Sequence, residues 1–239
     1  MHGQGFATLA LAEAYGMFGV SDTALREYRV QLSECLKAAI KCIEDAQTQT
    51  GGWGYLPRDA FHEGSVTITE IQALRACRNS GFDVNTQVIE AALKYIRDSQ
   101  WLEGESMAQY GGFRYHLSDN RVTFALTAAA VSTFNAIGKY DTQAINRGID
   151  YMIRNDPFTR GKEERYKFYA RFYASQAYYQ HRSADLFWRS FYPQLIDLLE
   201  TTQGEEGEYS SGLYGESYGT AFTALTLAIP FGYLPIFQR

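Results

Sequence analysis

The chain has 239 residues, 46% of them hydrophobic and 21% charged, which is enough apolar surface for one large domain or two small ones and excludes a disordered chain. The net charge of −5 lacks the basic footprint that neutralises phosphates, so no nucleic-acid partner is expected. Three cysteines, Cys35, Cys42 and Cys77, are too few for a disulfide framework.

Residues 5–18 read as a first helix rich in small and apolar residues, with Phe6, Leu9, Leu11 and Met17 to bury. Met1 to Gly5 shows no basic n-region of a signal peptide, and with the cysteine usage this sets a cytoplasmic location as the expectation. A long charged helix follows over 22–47. Apolar helices are then expected over 66–79 and 121–136, ending near Gly81 and Gly138. Each is followed by an amphipathic helix, over 85–99 and 142–154, with Asn85 and Asp141 as N-caps. A more divergent pair spans 164–180 and 185–202. The last helix covers 220–228 and stops at Pro230. No charged residue stands between Ser217 and Gln238, but the two prolines and the polar content favour a buried core helix over a membrane span.

Two helix types therefore alternate. Helices apolar all round belong inside and amphipathic ones outside. Before the inner helices stand related turn blocks: Gln49-Thr50-Gly51-Gly52-Trp53-Gly54-Tyr55, then Tyr110-Gly111-Gly112-Phe113-Arg114-Tyr115, with a degenerate copy at Gln203-Gly204-Glu205-Glu206-Gly207-Glu208-Tyr209. The Gly-Gly-aromatic-x-Tyr cores of the first two lie 60 positions apart, so their glycine pairs should occupy equivalent turns. With no strand alternation the expected class is all-α, with a helix fraction far above the usual third.

The block Gln49–Tyr55 followed by an inner helix resembles the repeats of squalene–hopene cyclases and protein prenyltransferase β-subunits, the prenyltransferase/squalene-oxidase repeat group. The resemblance implies an (α/α) toroid of alternating inner and outer helices. It implies structural roles for Gln49, Trp53, Gln100 and Phe113, tying outer helices to their neighbours. It also implies a terpenoid cyclase or prenyl-transfer protein that holds a hydrophobic isoprenoid-type ligand in a central cavity. Such toroids use more helix pairs than this chain supplies. An incomplete or open ring is therefore expected: one domain over 1–239, forming the C-terminal part of a longer chain, with an edge at 5–18 left for missing repeats or self-association. The cyclase acid motif Asp-x-Asp-Asp is absent, as are the Asp-x-Cys of the prenyltransferase zinc site and the Gly-Cys-Gly-Glu-Gln thioester motif. No metal and no cofactor is expected. The alternative is a non-catalytic scaffold binding a peptide, lipid or glycan. A structural repeat and a paired-carboxylate glycosidase remain further options.

Candidate residues gather at the starts of inner helices. His62 and Glu63 can serve as acid and base, while Ser65 or Thr67 suits the helix cap. Glu70, on a buried helix, needs a partner. The segment 165–180 holds seven aromatics in sixteen residues, with Tyr169, Phe172, Tyr173 and Gln176 toward one side as a pocket wall. Arg121 and Arg171 are candidates for an anionic head group such as a diphosphate, since helix N-termini favour anions; the competing reading pairs Arg121 with Asp119 and leaves Arg171 exposed. The four histidines, His2, His62, His116 and His181, read as loop residues of a repeat before a metal site.

Overall fold

A computed structural model describes residues 1–17, 25–102, 107–137, 142–158, 164–181 and 185–233. Helix accounts for 68% of the structure and strand for 3%, so the class is all-α. The chain divides into two compact units. Unit 1 comprises Met1–Gln100 with Phe113–Arg121, and unit 2 comprises Trp101–Gly112 with Val122–Arg239.

Unit 1 contains α1 (His2–Met17), α2 (Arg26–Ala46), α3 (Gly64–Asn79) and α4 (Thr86–Asp98). Helix α3 is buried around most of its circumference, including Val66, Ile68, Ile71 and Leu74. Helices α2 and α4 bury one stripe each, Leu36, Ile40 and Ile43 in the first and Val88, Ala92, Leu93 and Ile96 in the second. The apolar-versus-amphipathic distinction thus sorts this unit into an inner helix with peripheral ones. Helix α1 packs on α3 and α2. It buries only Gly5, Thr8, Ala12 and Glu13 and leaves Leu11 and Met17 exposed. Phe18 lies outside the described residues.

Unit 2 contains α5 (Phe124–Ile137), α6 (Thr142–Asn155), α7 (Lys167–Gln180), α8 (Tyr192–Thr202) and α9 (Gly215–Ala228). Helix α7 lies between α5 and α9, and α6 packs outside α5. Helices α5 and α7 are buried nearly throughout, whereas α9 buries only Gly219, Thr223 and Thr226. The helix expected over 185–202 begins instead as a π-helical turn, Leu186–Phe191. Pro193 in the first turn of α8 supplies no N–H and its ring crowds the carbonyl four residues back, which widens the preceding turn. Asp141 and Gly138 lie outside the described residues, whereas Asn85 caps α4 through the Gln87 N–H at 2.9 Å. Among the described residues no helix is long and apolar enough to cross a membrane. Helix α9 gives way to a short 3-10 turn, Ile229–Phe231, at Pro230.

The turn blocks are equivalent in hydrogen bonding as well as in sequence. Thr48 N–H donates to Gly52 O at 3.0 Å, Trp101 N–H to Gly112 O at 2.8 Å and Gly204 N–H to Glu208 O at 2.8 Å. Gly51, Gly111 and Gly207 share a left-handed φ of 88°, 90° and 86°. The bracing glutamine is Gln47, not Gln49. Gln47 Nε2 donates to Gly51 O and to Val88 O, both at 2.9 Å, and Gln203 Nε2 donates to Gly207 O at 3.1 Å. The i to i+4 reach places the amide over the turn it braces, and Gln49 is two residues too late. Trp53 is fully buried, and its Nε1 donates to Ile43 O at 2.8 Å, which ties the turn to α2. Gln47→Ala is expected to cost about 1–2 kcal/mol by removing the amide that donates both to Gly51 O and to Val88 O, against under about 0.5 kcal/mol for exposed Gln49→Ala. Urea midpoints of the two variants compare them directly, and equal losses would refute the assignment.

Candidate functional site

The candidate residues fall into two groups. His62, Glu63, Glu70 and Arg121 belong to unit 1, and the α7 residues to unit 2.

In unit 1 the turn block delivers the start of α3. Glu63 N–H donates to Trp53 O at 3.0 Å and Gly64 N–H to Tyr115 O at 2.8 Å. Glu63 is thereby held in extended conformation, and its own carboxylate caps α3 by accepting from Val66 N–H at 3.2 Å. The cap is Glu63 rather than Ser65 or Thr67, because a β-region residue just before the helix is the one whose side chain reaches the free N–H groups. Ser65 Oγ donates to the same carboxylate, while Thr67 Oγ1 donates back to Glu63 O at 2.8 Å and receives Trp53 N–H at 3.1 Å.

His62 and Glu63 are not bonded to each other. His62 Nδ1 pairs with Tyr95 Oη at 2.9 Å, and its ring stacks on His116 with centroids 4.6 Å apart. Burial first, and the neighbouring His116 second, hold His62 below the ordinary histidine range. His116 stacks in turn on Phe61 at 5.0 Å.

Beside Glu63 stand residues that the sequence reading did not single out. Tyr55 and Tyr115 close the two Gly-Gly-aromatic-x-Tyr blocks, and their hydroxyls meet at 3.3 Å. Burial first, then the hydrogen bond to Tyr55 and the Glu63 carboxylate, push the Tyr115 hydroxyl well above the usual phenol range. Tyr55 is raised by burial too, with Glu63 adding to the shift. His2, from α1, packs edge-on to Tyr55 with centroids 6.3 Å apart. The equivalence of the two repeats was the signal that could have paired these tyrosines.

Glu70 is wholly buried, and neither carboxylate oxygen has a hydrogen-bond partner. Burial pushes its pKa up to about 8, so the group is mostly neutral at pH 7. Arg121 instead points to solvent and pairs with Asp119, Nε to Oδ1 at 3.1 Å and an Nη to Oδ2 at 2.8 Å. Its donors are thus committed locally, and it precedes α5, which starts three residues later than expected. Among the described residues no three His, Cys, Asp or Glu side chains group as a metal site.

In unit 2 all five α7 candidates are buried. Tyr169, Phe172, Tyr173 and Gln176 lie toward one side. Tyr169 and Tyr173 have ring centroids 4.5 Å apart, and Phe172 meets Phe222 of α9 edge-on at 5.4 Å. Both polar atoms of the Gln176 amide, and Thr223 Oγ1 on α9, are buried without a partner. Arg171 lies about 140° round the helix from Gln176. It is 6% exposed rather than solvated, with Cζ 5.4 Å from the Phe158 ring centroid and 5.6 Å from that of Phe168. Its Nε has no hydrogen-bond partner, and among the described residues no carboxylate pairs with it. Burial lowers its pKa, with Tyr209 opposing.

No family model matches the chain, and no curated protein matches it.

Proposed function

We propose that this is a terpenoid cyclase/prenyltransferase-like repeat protein, its alternating helices forming part of an (α/α) toroid, that binds a hydrophobic isoprenoid-type ligand with an anionic head group at Arg171. One observation carries the reading: a buried guanidinium, unpaired with any carboxylate, sits among phenyl rings on the most aromatic helix. A buried charge without a counter-ion is costly, and a phosphate or diphosphate offsets that cost through charge-assisted, bidentate hydrogen bonds. The rings of Phe158 and Phe168 and the aromatic side of α7 suit an apolar tail. The turn blocks support the repeat architecture, since the same hydrogen-bonded unit recurs before α3 and α9 and within the block that precedes α5. The proposal is one of binding, because the Asp-x-Asp-Asp acid of the cyclases is absent from the sequence.

Titration with farnesyl diphosphate, farnesol and inorganic pyrophosphate tests it. Wild type is expected to bind farnesyl diphosphate. Arg171→Met, which keeps the bulk and removes the charge, is expected to weaken that binding at least about tenfold while leaving farnesol unchanged. No binding to wild type, or equal diphosphate affinity in the variant, would remove the reading and leave a non-catalytic scaffold for a peptide, lipid or glycan.

A further inference from the structure

The segment Phe113–Arg121 belongs to unit 1, although the chain on both sides of it belongs to unit 2. Its start is anchored: Phe113 is fully buried, and Arg114 N–H donates to Ser99 O at 2.9 Å. Beyond that point Tyr115 O accepts from Gly64 N–H, which ties the loop Tyr115–Arg121 to the start of α3. A stack of rings adds to this tie. Phe61, His116 and His62 lie face to face in series, with centroids 5.0 Å and 4.6 Å apart and interplanar angles of 16° and 13°. Tyr95 of α4 closes the buried end, edge-on to His62. His116 is the loop's member of the stack. Its geometry is that of a neutral ring: Ser118 N–H donates to His116 Nδ1 at 3.2 Å and Ser118 Oγ lies 2.8 Å from it, so Nδ1 keeps its lone pair. Among the described residues no carboxylate pairs with either imidazole. Glu63 caps α3 beside Tyr55 and Tyr115, Asp59 accepts from Phe61 N–H at 3.1 Å, and Asp119 is held by Arg121. Tyr95 stays a neutral phenol, since burial first and Glu63 second raise it. His2 of α1 packs on Phe6 and Tyr55.

Protonation undoes this arrangement in two ways. A proton on His116 Nδ1 removes the acceptor of Ser118 N–H. A further proton on His62 puts two cations in parallel rings 4.6 Å apart, one of them only 7% exposed and neither with a counter-ion. We propose that the His62–His116 stack is an acid-sensitive latch, which holds the loop Tyr115–Arg121 on the start of α3 at neutral pH and releases it when both rings are protonated. Release takes Tyr115 away from Gly64 and Tyr55 and uncovers the Glu63 carboxylate, while Phe113 and Arg114 keep the start of the segment in place. The direction follows from linkage. Burial and His116 hold His62 below its ordinary 6.5 in the closed form, so the open form binds more protons. The closed form is therefore fully favoured above that value and loses ground as the pH falls below it.

Amide exchange read by NMR from about pH 7.5 to about pH 5, corrected for the intrinsic pH dependence of exchange, tests this. Protection of Gly64 N–H is expected to fall at least about threefold over that range. Protection of Gly51 N–H, which donates to Thr48 O in the preceding turn, should hold. The histidine Cε1 resonances should show His62 titrating below His116. His116→Phe keeps a ring against Phe61 and His62 and removes the charge. In that variant the acid loss at Gly64 should disappear and His62 should titrate closer to 6.5. The wild-type readings stand whether or not the variant folds. Gly64 protection unchanged through the titration of His62, or His62 titrating at or above 6.5 in wild type, would overturn the proposal. So would a folded His116→Phe with the same acid loss as wild type. No ligand enters these measurements, so their outcome is independent of that at Arg171.

Discussion

Gly51→Ala and Gly111→Ala are each expected to destabilise their own unit by about 3–4 kcal/mol, while Gly81→Ala should cost about 1 kcal/mol. All three glycines share φ near +90°, at 88°, 90° and 90°, so an alanine is strained at each. Only the first two also lack room. A Cβ at Gly51 would stand 2.3 Å from the Ala91 carbonyl oxygen of α4, and at Gly111 2.3 Å from that of Arg147 in α6. These obstacles are backbone, which cannot rotate away, so an overpacking cost of about 1–3 kcal/mol adds to the strain. At Gly81 nothing lies within 4 Å. Urea unfolding followed by circular dichroism separates the cases, and equal losses in all three variants would show that backbone strain alone sets the requirement for glycine. The adjacent Gly52 and Gly112 extend the argument, since each would drive a Cβ into a tyrosine ring, Tyr95 at 2.8 Å and Tyr151 at 2.9 Å.

Glu70→Gln should raise stability at pH 7 by about 2–3 kcal/mol and flatten the pH profile of unit 1. The folded carboxyl titrates at about 8 against 4.5 for an ordinary glutamate. Below 4.5 both folded and unfolded states carry the proton, so burial of the neutral acid is at its most favourable there. As pH rises from about 4.5 to about 8, the unfolded state releases the proton while the folded state keeps it, and stability falls by up to about 1.4 kcal/mol per unit. Above about 8 both states are ionised and the loss is complete. Glutamine keeps the shape and does not titrate, so the difference between variant and wild type should grow through that window. A parallel pH dependence in the two proteins would show that Glu70 is not the buried acid responsible.

The candidate site was only partly legible. The charge-free face around Glu70 marked it as a carboxylate in need of a partner, and the structure buries it without one. The rise of repeats before inner helices drew attention to His62 and Glu63, but pairing them as acid and base followed chain proximity. Adjacent residues at a helix start point in different directions, and His62 turns to Tyr95 while Glu63 caps α3. Arg121 and Arg171 looked alike in sequence. One has Asp119 two residues away and stays with it in water; the other has no nearby acid on its face and is carried inside by the aromatic residues around it. Local sequence can register the first situation, not the second.

By itself the sequence determined the helical class, the sorting of α3, α5 and α7 from α2, α4 and α6, and the equivalence of the glycine turns. These follow from periodicity and from the need for glycine at positive φ, which are properties of short windows. Tertiary structure alone decided how far an apolar helix is covered. Helices α1 and α9 have compositions like α3 and α5, yet each buries one side, because burial depends on how many neighbours pack around a helix and not on its own residues. It also decided that Gln47 reaches Val88 of α4, that Tyr55 meets Tyr115 across 60 positions, and that Glu70, Arg171 and Gln176 remain unpaired inside. Those outcomes depend on distances between segments far apart in the chain, which no local pattern encodes.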